Sequence, residues 1–168
     1  KPDKHLTPGD IGYSAAMNLG VKNADPKADA YVFMHNDVFV QGGWLPVMWD
    51  GLRGADYVYP DQIARTRENM EEIYRVNTNR REPEIQGYDE AGLILMKKAS
   101  FEKMGGWDER FKAVYQDLAF RKRCVKVGVV PFNTTRTFIT HIGSVGYAYT
   151  GEAEQVNIQR EGPLTLDL

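Results

Sequence analysis

The hydrophobic and polar positions of the chain form a distinctive pattern between residues 30 and 40. The run Ala30–Met34 is continuously apolar and rich in the Tyr, Val and Phe that strands favour, which predicts a central strand buried on both faces. His35, Asn36 and Asp37 follow, and the apolar run then resumes. Ligands of open α/β sheets bind beyond the carboxyl ends of the strands, so Asp37 is placed to meet a ligand or hold a metal. An ordinary polar turn explains these three residues equally well.

Apolar segments elsewhere predict alternating helices and strands. Helices are expected over residues 14–23 with Ser14 as N-cap, after Gly42 with Pro46 in the first turn, and over residues 99–104 and 116–127. Strands are expected over residues 55–59, ended by Pro60, and over residues 91–96, 129–132 and 137–140. A helix over residues 63–76 and a loop over residues 143–151 complete the series. This order predicts a mixed α/β sheet.

Composition excludes several classes of protein. At 168 residues the chain is about one domain, large enough for a single core. A formal net charge of -2 gives no electrostatic case for binding nucleic acid or an anionic membrane. No apolar run is long enough to span a bilayer. Cys124 is the only cysteine, which excludes an internal disulfide framework and a multi-cysteine zinc site and fits a reducing compartment.

Polar residues that carry useful chemistry lie where apolar segments begin or end. Asp37 and His141 follow strands, and Asp117 lies at the start of a helix. Two carboxylates and a histidine suit a divalent cation, or one metal-binding carboxylate and one general base. Spacing alone does not show that they converge. Asp117 would equally suit the positive end of its helix, and a hydrogen-bonded core histidine is the commoner role for a residue such as His141.

Five blocks of sequence resemble the family 2 glycosyltransferases of the GT-A fold, rhamnosyltransferase-like members included. In the family's order they are SAAMNLGV (residues 14–21), YVFMHNDV (31–38), GLILMKKASFEKMGGWDERF (92–111), YQDLAFRKR (115–123) and THIGSVG (140–146). The resemblance covers the later two thirds of the catalytic domain. It implies a Rossmann-like mixed sheet flanked by helices. The family's opening strand-helix-strand has no counterpart here, so we expect a single domain over residues 1–168 that belongs to a longer chain.

The resemblance also implies a reaction, in which a sugar moves with inversion from a UDP-linked nucleotide-sugar donor to a hydroxyl acceptor. Asp37 matches the last carboxylate of the family's Asp-x-Asp motif, and His141 matches the histidine that completes the metal shell. Both are therefore expected to hold Mn²⁺ or Mg²⁺ against the donor diphosphate, where the cation neutralises charge on the leaving group. Asp117 matches the general base that removes the proton of the acceptor hydroxyl.

Two further sets of residues take roles from the resemblance. The segment near the acceptor matches Trp107, Asp108 and Glu109, and Trp107 would stack on a sugar face. The donor side matches Asn18, His35 and Asn36. His35 and Asn36 stand where the family's first motif carboxylate contacts the donor ribose, Met17 replaces the common Arg before Asn18, and Gln116 replaces the common Glu before the base.

Two alternatives remain beside the transferase. One is a non-catalytic nucleotide-sugar-binding module of the same fold. The other is a sugar nucleotidyltransferase, which would carry a glycine-rich triphosphate loop near its start, and none is visible. The expected partners are the donor and a glycan or other hydroxyl acceptor. The expected location is cytoplasmic, with any membrane association arising from parts outside this chain.

Overall fold

The computed structural model describes residues 6–64, 92–112, 115–141 and 160–167. The helices are α1 (Tyr13–Lys22), α2 (Trp44–Gly51), α3 (Lys98–Met104) and α4 (Gln116–Lys126), followed by a 3-10 helix (Gly162–Asp167). The strands are β1 (Ala30–Met34), β2 (Val38–Val40), β3 (Tyr57–Ala64), β4 (Leu93–Lys97) and β5 (Pro131–His141). None of the helices in these ranges is long and apolar enough to cross a membrane.

The five strands form one mixed sheet in the order β1-β4-β3-β5-β2. Strand β4 is antiparallel to both β1 and β3, β3 is parallel to β5, and β5 is antiparallel to β2. Strands β1, β3 and β5 therefore run in the same direction. The carboxyl ends of β1 and β5 consequently lie at the same edge of the sheet, and this brings the residues that follow Met34 toward His141. The expected mixed α/β sheet flanked by helices is confirmed.

The sheet cannot be flat at this edge. In a flat sheet, β1 and β2 would lie four strand spacings apart, about 19 Å. The chain from residue 34 to residue 38, however, reaches at most about 14 Å. The pairing of β3 with β5 shifts register where Pro60, opposite Thr134, is followed by Asp61, opposite Phe138. Such an irregularity bends a strand, and the bend allows the turn of residues 35–37 to cross the end of the sheet.

Apolar side chains cover both faces of the sheet, as period-2 alternation along β3 and β4 requires. On one face, Tyr57 and Ile94 belong to a buried cluster that includes residues of α3 and α4 and packs against α1. On the other face, Val58 and Leu95 pack with residues of α2. The members of the first cluster are Phe33, Tyr57, Tyr59, Ile94, Met96, Phe101, Met104, Trp107, Phe120, Cys124 and Val129. Two helical layers thus enclose the sheet, which holds the strand ends of the site in fixed positions.

Several expectations about the strands need correction. Strand β1 has the expected bounds, but it lies at one end of the strand order among the described residues, and Val32 and Met34 are 43% and 44% exposed. Strand β3 continues past Pro60, because proline is tolerated where the ladder is already irregular. The two expected strands over residues 129–132 and 137–140 are one strand, β5, which begins at Pro131, after Val129 and Val130. The polar residues between them hid this continuity, although threonine favours strands.

The start of α1 also differs from expectation. Ser14 lies buried within the helix, and the N-cap is Gly12 with φ 82°. A side chain at Gly12 would come within 2.8 Å of Lys112 Cβ, and the neighbouring Tyr13 N–H donates to the Lys112 carbonyl at 2.8 Å. Glycine is thus required here by both conformation and space. The helix expected over residues 63–76 begins inside β3, and its remaining residues, like the loop 143–151, lie outside the described residues.

Candidate metal centre

The backbone at the edge of the sheet positions a cluster of His35, Asp37 and His141. The His35 N–H donates to the Gly92 carbonyl at 3.0 Å, which extends the β1–β4 pairing by one step and fixes the first residue of the turn. Val38, just after the turn, pairs with His141 at the end of β5. Residues 35–37 are therefore anchored to the sheet on both sides, and the side chains of the cluster face one another across this edge.

The three side chains direct one ligand atom each toward a common point. His35 Nδ1 lies 3.3 Å from His141 Nε2, His141 Nε2 lies 3.1 Å from Asp37 Oδ1, and His35 Nδ1 lies 3.9 Å from Asp37 Oδ1. A triangle with these sides has its centre about 2.0 Å from every corner, and bonds from zinc to imidazole nitrogen or carboxylate oxygen are about 2.0–2.2 Å long. The donor atoms therefore fit a single metal ion without rearrangement of the chain.

The three side chains of the cluster differ in their exposure to solvent. The His141 side chain is 9% exposed and that of His35 17%, whereas that of Asp37 is 34% exposed. The imidazoles form the protected side of the cluster, and the carboxylate lies at its open side. A cation held here would keep coordination positions open to solvent or to a ligand, which is the arrangement of catalytic rather than closed structural metal sites.

Aromatic rings pack against the His35 side chain. The Tyr13 ring meets the His35 ring edge-on, with centroids 4.7 Å apart, and meets Trp107 at 5.2 Å. Trp107 in turn stacks on Phe120 of α4 at 4.4 Å. These contacts connect α1, the turn after β1 and α4. A ring fixed by its neighbours loses less freedom when it binds a metal, so this packing supports a preformed site.

Gly92 is a residue of the site that the sequence did not single out. A Cβ at Gly92 would come within 2.7 Å of Gln62 Oε1, 2.9 Å of Ile139 Cδ1 and 3.5 Å of His141 Nδ1. A methyl group here would overlap the ends of the Gln62 and Ile139 side chains and would touch His141. A glycine directly before a buried strand was the available signal, because glycine in or beside a strand often marks a close approach.

The residues expected near the acceptor are occupied with internal contacts. Trp107 is 2% exposed, with Phe120 against one face and the rings of Tyr13 and Phe33 packed edge-on, so its indole has no open face for a sugar. Its backbone N–H donates to Asn18 Oδ1 at 2.9 Å. The Asn18 amide donates to the Trp107 carbonyl at 2.9 Å and to Glu109 Oε1 at 2.8 Å. Asn18, expected on the donor side, thus fastens the acceptor segment to α1.

Asp108 lies in an ion network rather than at an open surface. It is 8% exposed and accepts hydrogen bonds from Arg110 Nε at 3.0 Å and Arg110 Nη2 at 2.7 Å, with Arg123 Nη1 at 3.5 Å. The hydrogen bonds from Arg110 lower the pKa of Asp108 below its ordinary value and outweigh the opposing effect of burial, with the charge of Arg123 adding to them. Glu109 and Asn36, by contrast, are exposed.

Asp117 lies where the sequence placed it, in the first turn of α4. Its Oδ1 accepts a hydrogen bond from the Leu118 N–H at 2.8 Å, and its side chain is half-buried. The preceding Gln116 has a buried Oε1 with no hydrogen-bond partner among the described residues. Tyr115, the N-cap, has φ 58° and is the one non-glycine residue with positive φ in the described ranges. Such strain concentrates at functional sites.

The structure therefore brings Asp37 and His141 together as expected and adds His35 to them, but Asp117 is not among the side chains that converge there. Its helix, α4, is connected to the cluster through aromatic packing. Phe120, three residues after Asp117, contacts Trp107, and Trp107 contacts the Tyr13 ring that packs on His35. No protein-family model matches the chain, and a search of curated proteins finds no significant match.

Proposed function

We propose that the chain carries the metal and base residues of an inverting glycosyltransferase that uses a nucleotide-sugar donor. The observation that carries this proposal is the convergence of His35 Nδ1, Asp37 Oδ1 and His141 Nε2 on one point at the carboxyl ends of β1 and β5. Ligands of α/β sheets bind at such an edge. The five blocks of resemblance supply the reaction class, because they run in the order of the glycosyltransferase family.

The residues divide the work of the proposed reaction between them. His35, Asp37 and His141 would hold a divalent cation, which supplies charge neutralisation to the donor diphosphate. Asp117 would accept the proton of the acceptor hydroxyl as its oxygen bonds to the anomeric carbon on the face opposite the diphosphate. The bond between that carbon and the diphosphate oxygen breaks, and its electron pair leaves with the nucleoside diphosphate. A single displacement of this kind inverts the configuration at the anomeric carbon.

Two local features support Asp117 as the base. It lies in the first turn of α4, where its Oδ1 accepts a hydrogen bond from the Leu118 N–H at 2.8 Å, which orients the carboxylate. Tyr115, directly before Gln116 and Asp117, has a positive φ that costs free energy in a non-glycine residue. Strained residues of this kind cluster at active sites. The buried Gln116 Oε1 is an acceptor that a ligand hydroxyl would satisfy.

The proposal is tested by a thermal-shift screen of nucleotide sugars with and without Mn²⁺, since a ligand that binds only the native protein raises its apparent stability. We expect a UDP-sugar to raise the melting temperature more with Mn²⁺ than with chelator, and the hit to support sugar transfer to one of a panel of hydroxyl acceptors. Tight, metal-dependent donor binding without transfer to any acceptor would instead favour the binding-module alternative. Absence of any nucleotide-sugar response would overturn the proposal.

A further inference from the structure

We propose that His35 is a metal ligand in its own right and that the site therefore selects a transition ion, Zn²⁺ or Mn²⁺, over Mg²⁺ and Ca²⁺. The inference rests on the metal site of the proposed function but not on the transfer reaction. It changes the role of His35, which the resemblance placed at the donor ribose. It also changes the class of cation, because the donor set becomes two imidazole nitrogens and one carboxylate oxygen.

Distance is the first argument for His35. Its Nδ1 is 3.3 Å from His141 Nε2, the nitrogen that also lies 3.1 Å from Asp37 Oδ1. Two ligands of a tetrahedral ion with bonds of about 2.1 Å lie about 3.4 Å apart. The pairs His35–His141 and His141–Asp37 therefore both have the spacing of ligands that share an ion. A residue directed at a ribose beside the cation would have no need to present its ring nitrogen to both of the other donors.

Orientation is the second argument. The backbone N–H of His35 is bonded to the Gly92 carbonyl, and its ring packs edge-on against Tyr13 and against His141 with centroids 4.7 Å and 5.1 Å away. Protein contacts thus fix the His35 ring with Nδ1 toward the cluster. Groups outside the coordination shell orient metal-bound histidines, and the Tyr13 ring is such a group for His35. Tyr13 accordingly acts as a positioning residue for His35.

Donor chemistry sets the class of ion. Imidazole nitrogen suits zinc and other transition ions, whereas Mg²⁺ and Ca²⁺ prefer shells of oxygen. The three donor atoms are unevenly spaced, at 3.1, 3.3 and 3.9 Å, and match neither an ideal tetrahedron nor an ideal octahedron. Zn²⁺ has no geometric preference from its d electrons and tolerates such a shell, whereas Mg²⁺ demands near-ideal octahedral geometry.

The test is isothermal titration of the metal-free protein with ZnCl₂, MnCl₂, MgCl₂ and CaCl₂. We expect one site that binds Zn²⁺ most tightly and Mn²⁺ next, with Mg²⁺ and Ca²⁺ failing to displace either. His35→Ala should weaken Zn²⁺ binding about tenfold or more. His35→Asp should narrow the preference for Zn²⁺ over Mg²⁺, because it restores an oxygen donor. Val40→Ala, at an exposed position of the neighbouring strand β2, is the control and should bind Zn²⁺ like the wild type.

A second measurement keeps the inference testable if a His35 variant fails to fold. The chain has three histidines, so the imidazole ¹⁵N spectrum of the wild-type protein reports each one. Diamagnetic Zn²⁺ should shift two of the three sets of signals at one equivalent, and Mg²⁺ should shift neither. Any one of three results would overturn the inference: Zn²⁺ shifts the signals of a single histidine only, His35→Ala binds Zn²⁺ as tightly as the wild type, or Mg²⁺ binds as tightly as Mn²⁺. These results would not affect the transferase proposal. That proposal fails if the ions bind as described but no nucleotide sugar binds.

Discussion

His141 Nε2 lies 3.1 Å from Asp37 Oδ1, although 104 residues separate the two along the chain. The contact follows from the sheet, because β2 pairs with β5 in a register that sets Val38 opposite His141. The bend where β3 and β5 shift register lets the short turn before Val38 cross this edge. The site thus depends on strand pairing at its base and on the packing of Tyr13 and Gly92 around its histidines.

Gly92→Ala tests the packing beneath His141. The new methyl group would meet Gln62 Oε1 and Ile139 Cδ1 at under 3.0 Å, so these side chains, which lie beside His141, or the strand β4 must shift. We expect weaker Zn²⁺ or Mn²⁺ binding by titration and a lower free energy of unfolding. Gly20→Ala is the control, because nothing lies within 4 Å of its added Cβ in α1, and it should be stabilising by about 0.4–1 kcal/mol. Wild-type metal affinity in Gly92→Ala would show that this close approach does not shape the site.

Trp107→Ala distinguishes a core residue from a sugar platform. Trp107 is 2% exposed and packs on Phe120, so we expect a loss of about 3–5 kcal/mol in the free energy of unfolding, measured by urea denaturation. Trp49 on α2 is 48% exposed, and Trp49→Ala should cost much less. Unchanged stability of Trp107→Ala, together with a raised KM for the acceptor, would restore the stacking role that the sequence suggested.

Asp108→Asn tests the ion network through pH. The hydrogen bonds from Arg110 lower the pKa of Asp108 in the folded protein. The stability this supplies is fully present above the ordinary aspartate pKa of 3.8 and is lost as the pH falls through the lower folded value. We expect Asp108→Asn to be less stable at pH 7 and to lose less stability than the wild type on acidification below about pH 4. Glu102→Gln, on an exposed face of α3, is the control. Parallel stability curves for Asp108→Asn and wild type would contradict this account.

Asp117→Asn separates turnover from donor binding. The asparagine keeps the shape of the side chain but cannot accept a proton from the acceptor. We therefore expect kcat to fall about a hundredfold or more, while the affinity for the donor changes little. The measurement is a transfer assay paired with donor titration. Unaltered transfer by the variant would remove Asp117 as the base.

The local pattern of the sequence predicted much of the fold. The bounds of β1, α3 and α4 follow from short apolar runs and from the glycines that end α3 and follow α4. The position of β1 at an end of the strand order of the described residues could not be predicted, because a run such as Ala30–Met34 does not tell which strands pair with it. The continuity of β5 was hidden by polar residues that strand pairing overrides.

The candidate site was predicted in part for a similar reason. Asp37, Asp117 and His141 were singled out because each lies where an apolar segment begins or ends. The ligand geometry of His35 and the close approach at Gly92 depend on contacts with β5, from residues far along the chain. Trp107 was misjudged because a buried and an exposed tryptophan look alike in sequence.

The central claim is that a cation held at Asp37 binds the donor, and isothermal titration of a UDP-sugar tests it most directly. The account expects donor binding in the presence of Mn²⁺, a large loss of affinity in excess chelator, and the same loss with Mn²⁺ present in Asp37→Ala. Equal donor affinity of the wild-type protein with Mn²⁺ and with chelator would contradict it.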